Sequence, residues 1–189
     1  AQEILELSNG IRSEVLELNV TPNRGYCLNH LGVAREVAAL LNKSFRCPDY
    51  VTELEKVWGP GLIEGELTVE NREPKLCLRY SGMVIKNVKP GLSPKWLADR
   101  LTAIGLRPIN NIVDVTNFVL MEYGQPLHAF DKELLENSSI IVRCAAKDEA
   151  FTSLDGSDLK LDEGALVIAD ASKAVALAGI MGSANSQVT

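Results

Sequence analysis

The sequence predicts an α+β fold, on three observations. Apolar residues recur at three- and four-residue steps through 27–42 and again through 94–104, the periodicity of amphipathic helices. Short segments rich in β-branched and apolar residues crowd positions 139–180. An Asp155-Gly156 pair between two of them marks a hairpin turn. Helices therefore come early and antiparallel strands late, which favours sheet packed on sheet with helices to one side.

In chain order, "EVLELNV" (14–20) alternates Leu16, Leu18 and Val20 against Glu17 and Asn19 and reads as a half-buried strand. "TPNRG" follows as a turn, with Pro22 fixing φ and Asn23 and Gly25 tolerating tight geometry. Leu28, Leu31, Ala34, Val37, Ala38 and Leu41 then stripe a helix over 27–42. Strand, turn and helix make a small core to stand alone, so this unit is expected to lack a partner segment.

From Ser44 to Gly65 the pattern dissolves into "FRCPDY" and "WGPGLIEG", a connector punctuated by Pro and Gly. "ELTVEN" and "KLCLRYSGMVIKNV" read as two or three strands, with Leu76, Leu78 and Tyr80 alternating on one face. "LSPKWLADRLTAIG" is the clearest helix. Ser93 can cap it, Pro94 suits its first position, Gly105 can close it, and Leu97, Leu101 and Ile104 form its buried stripe.

Residues 110–123 pull both ways. The β-branched density of "NNIVDVTNFV" favours a strand. The length without a turn signal before Gly124 favours a helix, with Ile112, Val115 and Val119 on one side, and helix is the prediction. After the turn "GQPLHAFD", strands are predicted at "SIIVRCA" (139–145), "AFTSL", "DLKLD", "ALVIAD" (165–170) and "KAVALAGI" (173–180).

At 189 residues the chain can hold one ordinary domain plus a smaller unit. Its 46% hydrophobic and 23% charged residues are a globular composition, which argues against disorder. The longest apolar runs, such as "KAVALAGIMG", fall far short of the roughly 20 residues of a membrane helix. The opening residues lack a charged-then-apolar pattern, so no secretory leader is expected. It begins at Ala1 and stops at "NSQVT", in what reads as strand or loop, so a piece of something longer is expected. The net charge of −6 leaves no general basic footprint for nucleic acid; any RNA contact must be local or lean on a more basic partner.

Cys27, Cys47, Cys77 and Cys144 match no zinc spacing and include no CxxC. They are read as free, mostly buried cytosolic thiols, with disulfides the minority reading. No metal site is expected.

The stretch "NNIVDVTNFVLMEYGQPLHAFD" (110–131) sets short polar groups inside an apolar segment and ends in a turn carrying His128, one of two histidines. Such groups either satisfy one another as scaffold or line a pocket. Imidazole in such a turn can hold water or act as a base, or it can simply cap the turn. Asn117 can donate and accept, so it can orient water or satisfy backbone. His30, on the first helix, reads as a surface or packing residue.

Three blocks stand in a fixed order: "LNVTPNRGYCLNHLGVAREVAALL", "RPINNIVDVTNFVLMEYGQPLHAFD" and "LVIADASKAVALAGIMG". Together they resemble the β subunit of bacterial phenylalanyl-tRNA synthetase. The resemblance covers essentially the whole chain, with 44–74 its least diagnostic part. It implies that 1–43 is part of a small helical, winged-helix-like domain and that 44–74 is a connector with the first strands. It further implies that 75–189 is an editing module with a layered β/β/α arrangement, truncated at its C-terminus.

The activity implied is hydrolysis of tRNA(Phe) mischarged with tyrosine, by water attack on the aminoacyl ester. A pocket shaped for phenylalanine rejects one extra hydroxyl only about a hundredfold. A second site that hydrogen-bonds the phenol can discriminate by about 10⁴–10⁵ in favourable cases. By the same resemblance, Asn117 and His128 face the editing pocket, and His128 can hold a water or the terminal ribose of the tRNA. Arg107 serves the RNA end. Gly179 and Gly182, in "AGIMGS" (178–183), let backbone approach a ligand and donate N–H bonds to a developing oxyanion. Asp114, Thr116 and Asn110 are assigned to mutual satisfaction of buried polar groups. No Ser or Cys nucleophile can be argued, so orientation and oxyanion stabilisation carry the chemistry.

The resemblance places no cofactor in this chain; ATP and magnesium are expected on the partner catalytic α subunit. The other expected partners are tRNA(Phe) and its tyrosine or phenylalanine moiety, within a cytoplasmic heterotetramer without membrane or DNA contact. Two departures stand out. Ser183 occupies the place where the family shows a second glycine. The family's pocket also uses a glutamate and a threonine–alanine patch from segments beyond "NSQVT". The competing readings are a non-catalytic module that positions tRNA or the α subunit, and a stand-alone aminoacyl-tRNA deacylase. The "TPNRGYCLNHLGVAREVAALL" unit argues against the deacylase.

Overall fold

A computed structural model describes residues 6–8, 11–46 and 65–188. The chain divides into two compact units, Ala1–Pro60 with Pro90–Leu127 and Gly61–Lys89 with His128–Thr189. The mixed α+β class is as predicted. Among the described residues no helix is long and apolar enough to cross a membrane.

The first unit opens with an antiparallel pair, β1 (Glu6–Ser8) and β2 (Ile11–Ser13). The strand expected at 14–20 does not form: these residues have no regular structure, and Leu16 is 76% exposed. Alternation supplies β propensity, but a strand also needs a neighbour to satisfy its amides, and none of the described strands pairs here. A 3-10 turn at Pro22–Cys27 leads into α1 (His30–Leu40), whose first turn is capped by the Asn29 side chain accepting from Gly32 N at 2.8 Å. The Arg24 guanidinium and Tyr26 hydroxyl both donate to Glu36, at 2.7 and 2.8 Å, and tie the turn to the helix. The expected apolar stripe of α1 is largely open, with Leu28, Val37 and Leu41 exposed.

Helix α2 (Lys95–Ala103) buries Leu97 and Leu101, while Ile104 stays partly exposed at the C-terminal cap. Ser93 does not cap it. Pro94 holds the cap position, and the Ser93 hydroxyl donates instead to the buried Asp114 carboxylate. Helix α3 (Asn111–Tyr123) confirms the reading against strand propensity. Asn110 Oδ1 accepts from the amides of Ile112 and Val113, and Gly124 closes the helix at φ +75°, a left-handed conformation that favours glycine. Its fully buried residue is Asp114 rather than Val115, which is exposed. His30 joins α1 to α3, its Nδ1 lying 2.8 Å from the Met121 carbonyl.

The second unit is built on a mixed five-stranded sheet in the order β3 (Thr68–Asn71), β4 (Ser139–Cys144), β7 (Leu166–Ala169), β8 (Ala174–Leu177) and β9 (Met181–Gly182). The β3–β4 pair is parallel and the others are antiparallel. A separate hairpin, β5 (Glu149–Thr152) and β6 (Asp158–Leu161), turns at Asp155-Gly156 as predicted. Side chains of β7 alternate between two cores. Ile168 joins Ile140, Val142, Val175 and Leu135 on one face. Val167 and Ala169 meet Phe151 and Leu161 of the hairpin on the other, so sheet packs on sheet. A register shift at Ile168/Ala169 places the neighbours Val175 and Ala176 in the same core.

The strands expected within 75–88 are absent. A turn in which the amides of Leu76 and Cys77 both donate to the Glu73 carbonyl resets the side-chain parity. Cys77 and Tyr80 consequently pack against the core, whereas Leu76 and Leu78 face solvent, Leu78 at 91%. Cys27, Cys77 and Cys144 are free thiols, half-buried rather than buried. Cys47 and most of the predicted connector lie outside the described residues.

Candidate functional site

The turn from β8 to β9 is built by "AGIMGS". Gly179 takes φ +71°, and the Ile180 amide closes the turn on the Leu177 carbonyl at 3.0 Å. Gly182 is then held from two sides. On one, Ala176 opposes it in β8 and the Ser183 amide donates to the Val175 carbonyl at 2.9 Å. On the other, its carbonyl accepts from the Leu154 amide at 3.1 Å, just beyond β5. Ser183 explains its own departure from glycine: it is buried, and its hydroxyl donates to the Thr152 carbonyl at 2.8 Å, pinning β9 to the hairpin.

His128 packs onto this fixed backbone. A Cβ at Gly182 would lie 2.6 Å from His128 Cε1, 2.8 Å from Nε2 and 3.0 Å from Leu154 Cδ1. Gly182 has no left-handed φ, so space rather than backbone conformation requires glycine there. The imidazole leans on Phe130 with centroids 4.6 Å apart and planes tilted by 59°, and Phe130 in turn packs on the main core. His128 keeps an open surface, yet the protein gathered round it removes enough water to lower its pKa below the usual histidine value. The ring is therefore neutral at physiological pH, with one nitrogen able to accept a proton or hold water. Gly179, the exposed Ile180 and Met181 form the outer lip of the same turn.

The structure thus brings together two of the residues picked from sequence, His128 and Gly182, with Gly179 on the adjoining turn. Asn117 and Arg107 belong to the first unit. Asn117 is half-buried in the middle of α3, and Arg107 is exposed in the loop after α2. The polar groups around Asn117 are satisfied, though not by one another as expected. Asp114 accepts from Ser93 and from the Ile109 amide at 2.9 Å, and Thr116 donates to the Val113 carbonyl at 2.7 Å. Sequence reasoning missed Leu154 and Phe130, the apolar neighbours of the imidazole. The hairpin turn beside Leu154 was legible, but nothing local to it signals the bridge that Ser153 makes to Ser183.

Comparison with known proteins decides the family. Residues 76–189 match the model of the B3/4 domain. The chain belongs to the B3/4 domain family. This B3/4 chain is also 50% identical over 187 residues, 99% of its length, to the phenylalanine–tRNA ligase β subunit of Carboxydothermus hydrogenoformans. It is 49% identical over 179 residues, 95% of its length, to that of Geobacter sulfurreducens, and 50% over 180 residues, again 95%, to that of Moorella thermoacetica. In each case it covers 22% of the relative, so the chain spans about a fifth of the length of the curated relatives it matches.

Proposed function

We propose that this chain is the editing region of a phenylalanine–tRNA ligase β subunit, and that it hydrolyses tyrosine from mischarged tRNA(Phe). The observation that supports the reading best is the imidazole of His128 seated on the Gly182 backbone, with Phe130 against the ring and Leu154 beside Gly182. An ester of an aromatic amino acid needs an apolar surface for the ring, a group to orient water, and backbone able to approach the reacting carbonyl. A neutral His128 holds the attacking water or takes its proton as the ester carbonyl is attacked. Gly182 leaves the reacting centre free of a side chain. Roles for Asn117 as a water-orienting amide and for Arg107 as a cation for the RNA end rest on the family resemblance alone.

The whole assembly follows as part of the same proposal: a cytoplasmic heterotetramer with an α subunit that carries ATP and magnesium, and residues 1–43 as part of a winged-helix-like domain. The test is deacylation of Tyr-tRNA(Phe) by the full-length enzyme carrying Asn117→Ala and His128→Ala together. Tyr-tRNA accumulates while Phe-tRNA synthesis stays near normal if the reading holds. Equal loss of both activities means that the residues are structural and the module positions tRNA or its partner subunit without chemistry.

A further inference from the structure

A second feature, on the first unit, has the composition of a site for an unpaired nucleotide. Trp96 lies near the start of α2 and is 55% exposed. Its ring is braced by Phe118 of α3, edge to face at 5.6 Å and 89°, so the aromatic surface is held in place. The Arg100 guanidinium lies over the Trp96 ring, 5.8 Å from its centroid. That is near the outer reach of such contacts, about 6 Å, and Arg100 is exposed, so the cation is loosely held. Among the described residues Arg100 meets the Trp96 ring and no carboxylate, whereas its neighbour Asp99 pairs with Lys95 at 2.7 Å.

The chain as a whole carries a net charge of −6, which repels a phosphate backbone. A cation that meets no acid among the described residues, beside a braced, half-open indole, is a local exception. Indole face and guanidinium together form the pair that unpaired nucleotides use: bases stack on the ring without sequence preference, and the cation meets the phosphate. We propose that Trp96 and Arg100 form a stacking platform for a nucleotide of single-stranded RNA. A base entering over the ring replaces a loose cation–π contact with a full stack and releases the guanidinium to the phosphate. Leu92 and Ile104, also exposed, would suit an apolar protein partner better; the cation over the indole, which meets no carboxylate among the described residues, decides in favour of RNA. The platform deepens the proposed function, since RNA is that function's substrate, but it needs neither His128 nor hydrolysis.

The experiment uses the 189-residue chain with Trp58→Phe, which leaves Trp96 as the sole tryptophan. Probes are a labelled single-stranded RNA decamer, a hairpin RNA with an unpaired 3′ end, and a blunt RNA duplex. The first two are expected to quench Trp96 fluorescence saturably and the duplex is not. By anisotropy of the labelled RNA, Trp96→Ala weakens binding about tenfold and Trp96→Phe recovers part of it. Arg100→Gln lowers the slope of log affinity against log salt by about 0.7. Because Trp96 also packs on Phe118, thermal melts of each variant accompany the titrations, and Arg100→Gln tests the idea without disturbing that packing. Equal binding by the wild type and a folded Trp96→Ala, equal binding of duplex and single strand, or protection of Trp96 by a protein partner alone overturns the platform. If the platform fails while deacylation still depends on His128, the editing proposal stands without it. If single-stranded RNA still quenches Trp96 while deacylation is indifferent to His128, the platform stands and the editing proposal fails.

Discussion

His128 and Gly182 stand so close that a Cβ on the glycine would sit 2.6 Å from the imidazole Cε1. The glycine's φ is ordinary, so alanine meets a steric conflict but no backbone strain. The conflicting atoms end a side chain that can rotate away, which makes displacement of the ring cheaper than unfolding. Gly182→Ala is therefore expected to fold with a Tm within a few degrees of wild type, yet lose Tyr-tRNA deacylation about as fully as His128→Ala. Full activity in Gly182→Ala would remove this pair from the chemistry. Gly179→Ala provides the contrast: nothing lies within 4 Å, but its φ of +71° makes alanine cost about 1 kcal/mol, visible in the melt.

Burial lowers the pKa of His128 below its ordinary 6.5. Deacylation that uses the neutral ring should be flat with pH above that value and fall only at lower pH than an unperturbed histidine would dictate. His128→Gln should abolish the inflection. An inflection above 6.5, or one that survives the substitution, contradicts the assignment. The same shift bears on stability: above 6.5 the ring is neutral in folded and unfolded chains alike. As pH falls the unfolded chain binds the proton first, and stability drops until the folded pKa is passed.

Asp114 supports α3 from its first turn, fully buried, accepting from the Ser93 hydroxyl and the Ile109 amide. Asp114→Ala removes the buried acceptor from two part-buried donors and should cost about 1–3 kcal/mol in urea unfolding. Ser93→Ala removes one donor and should cost about 1 kcal/mol. A double variant no worse than Asp114→Ala alone shows that the two act through one bond.

What the sequence showed, and what it hid, divides along local and long-range lines. Helix α3 was legible because an unbroken run up to Gly124 outweighed its β-branched residues, whereas the cap that Asn110 supplies was not read from the sequence. The β5–β6 hairpin was legible from its Asp155-Gly156 turn. Strands at 14–20 and 76–80 were predicted and do not form, because alternation describes one chain while a strand is a property of two. At 74–77 a turn shifted the parity, so Cys77 took the inward place expected of Leu76 and Leu78. His128 and Gly182 were each chosen from their motifs. Their contact, and the Leu154 beside it, depends on Ser183, just after β9, bridging to Ser153, which no local pattern encodes.

The turn after β7 depends on Asp170. Its side chain is fully buried, and Oδ1 accepts from the amides of Ser172 and Lys173, both at 2.8 Å. Oδ2 reaches the Glu136 amide at 3.1 Å, and Lys173 Nζ lies 3.6 Å away, so one carboxylate ties the β7–β8 turn to the segment before β4. Burial alone would raise its pKa, but the converging amides outweigh burial and hold it below 3.8. Its stabilisation is therefore present above the unfolded pKa and is lost as pH falls through the lower folded value. Asp170→Asn keeps the shape but replaces one acceptor oxygen with an NH₂, which leaves an amide facing a donor. It should cost about 2–3 kcal/mol at pH 7. The gap to wild type should then narrow as the pH of the urea titration is lowered towards 3, because the wild-type carboxylate itself takes up a proton. A gap that stays constant across that range would mean that shape, not charge, is what Asp170 contributes.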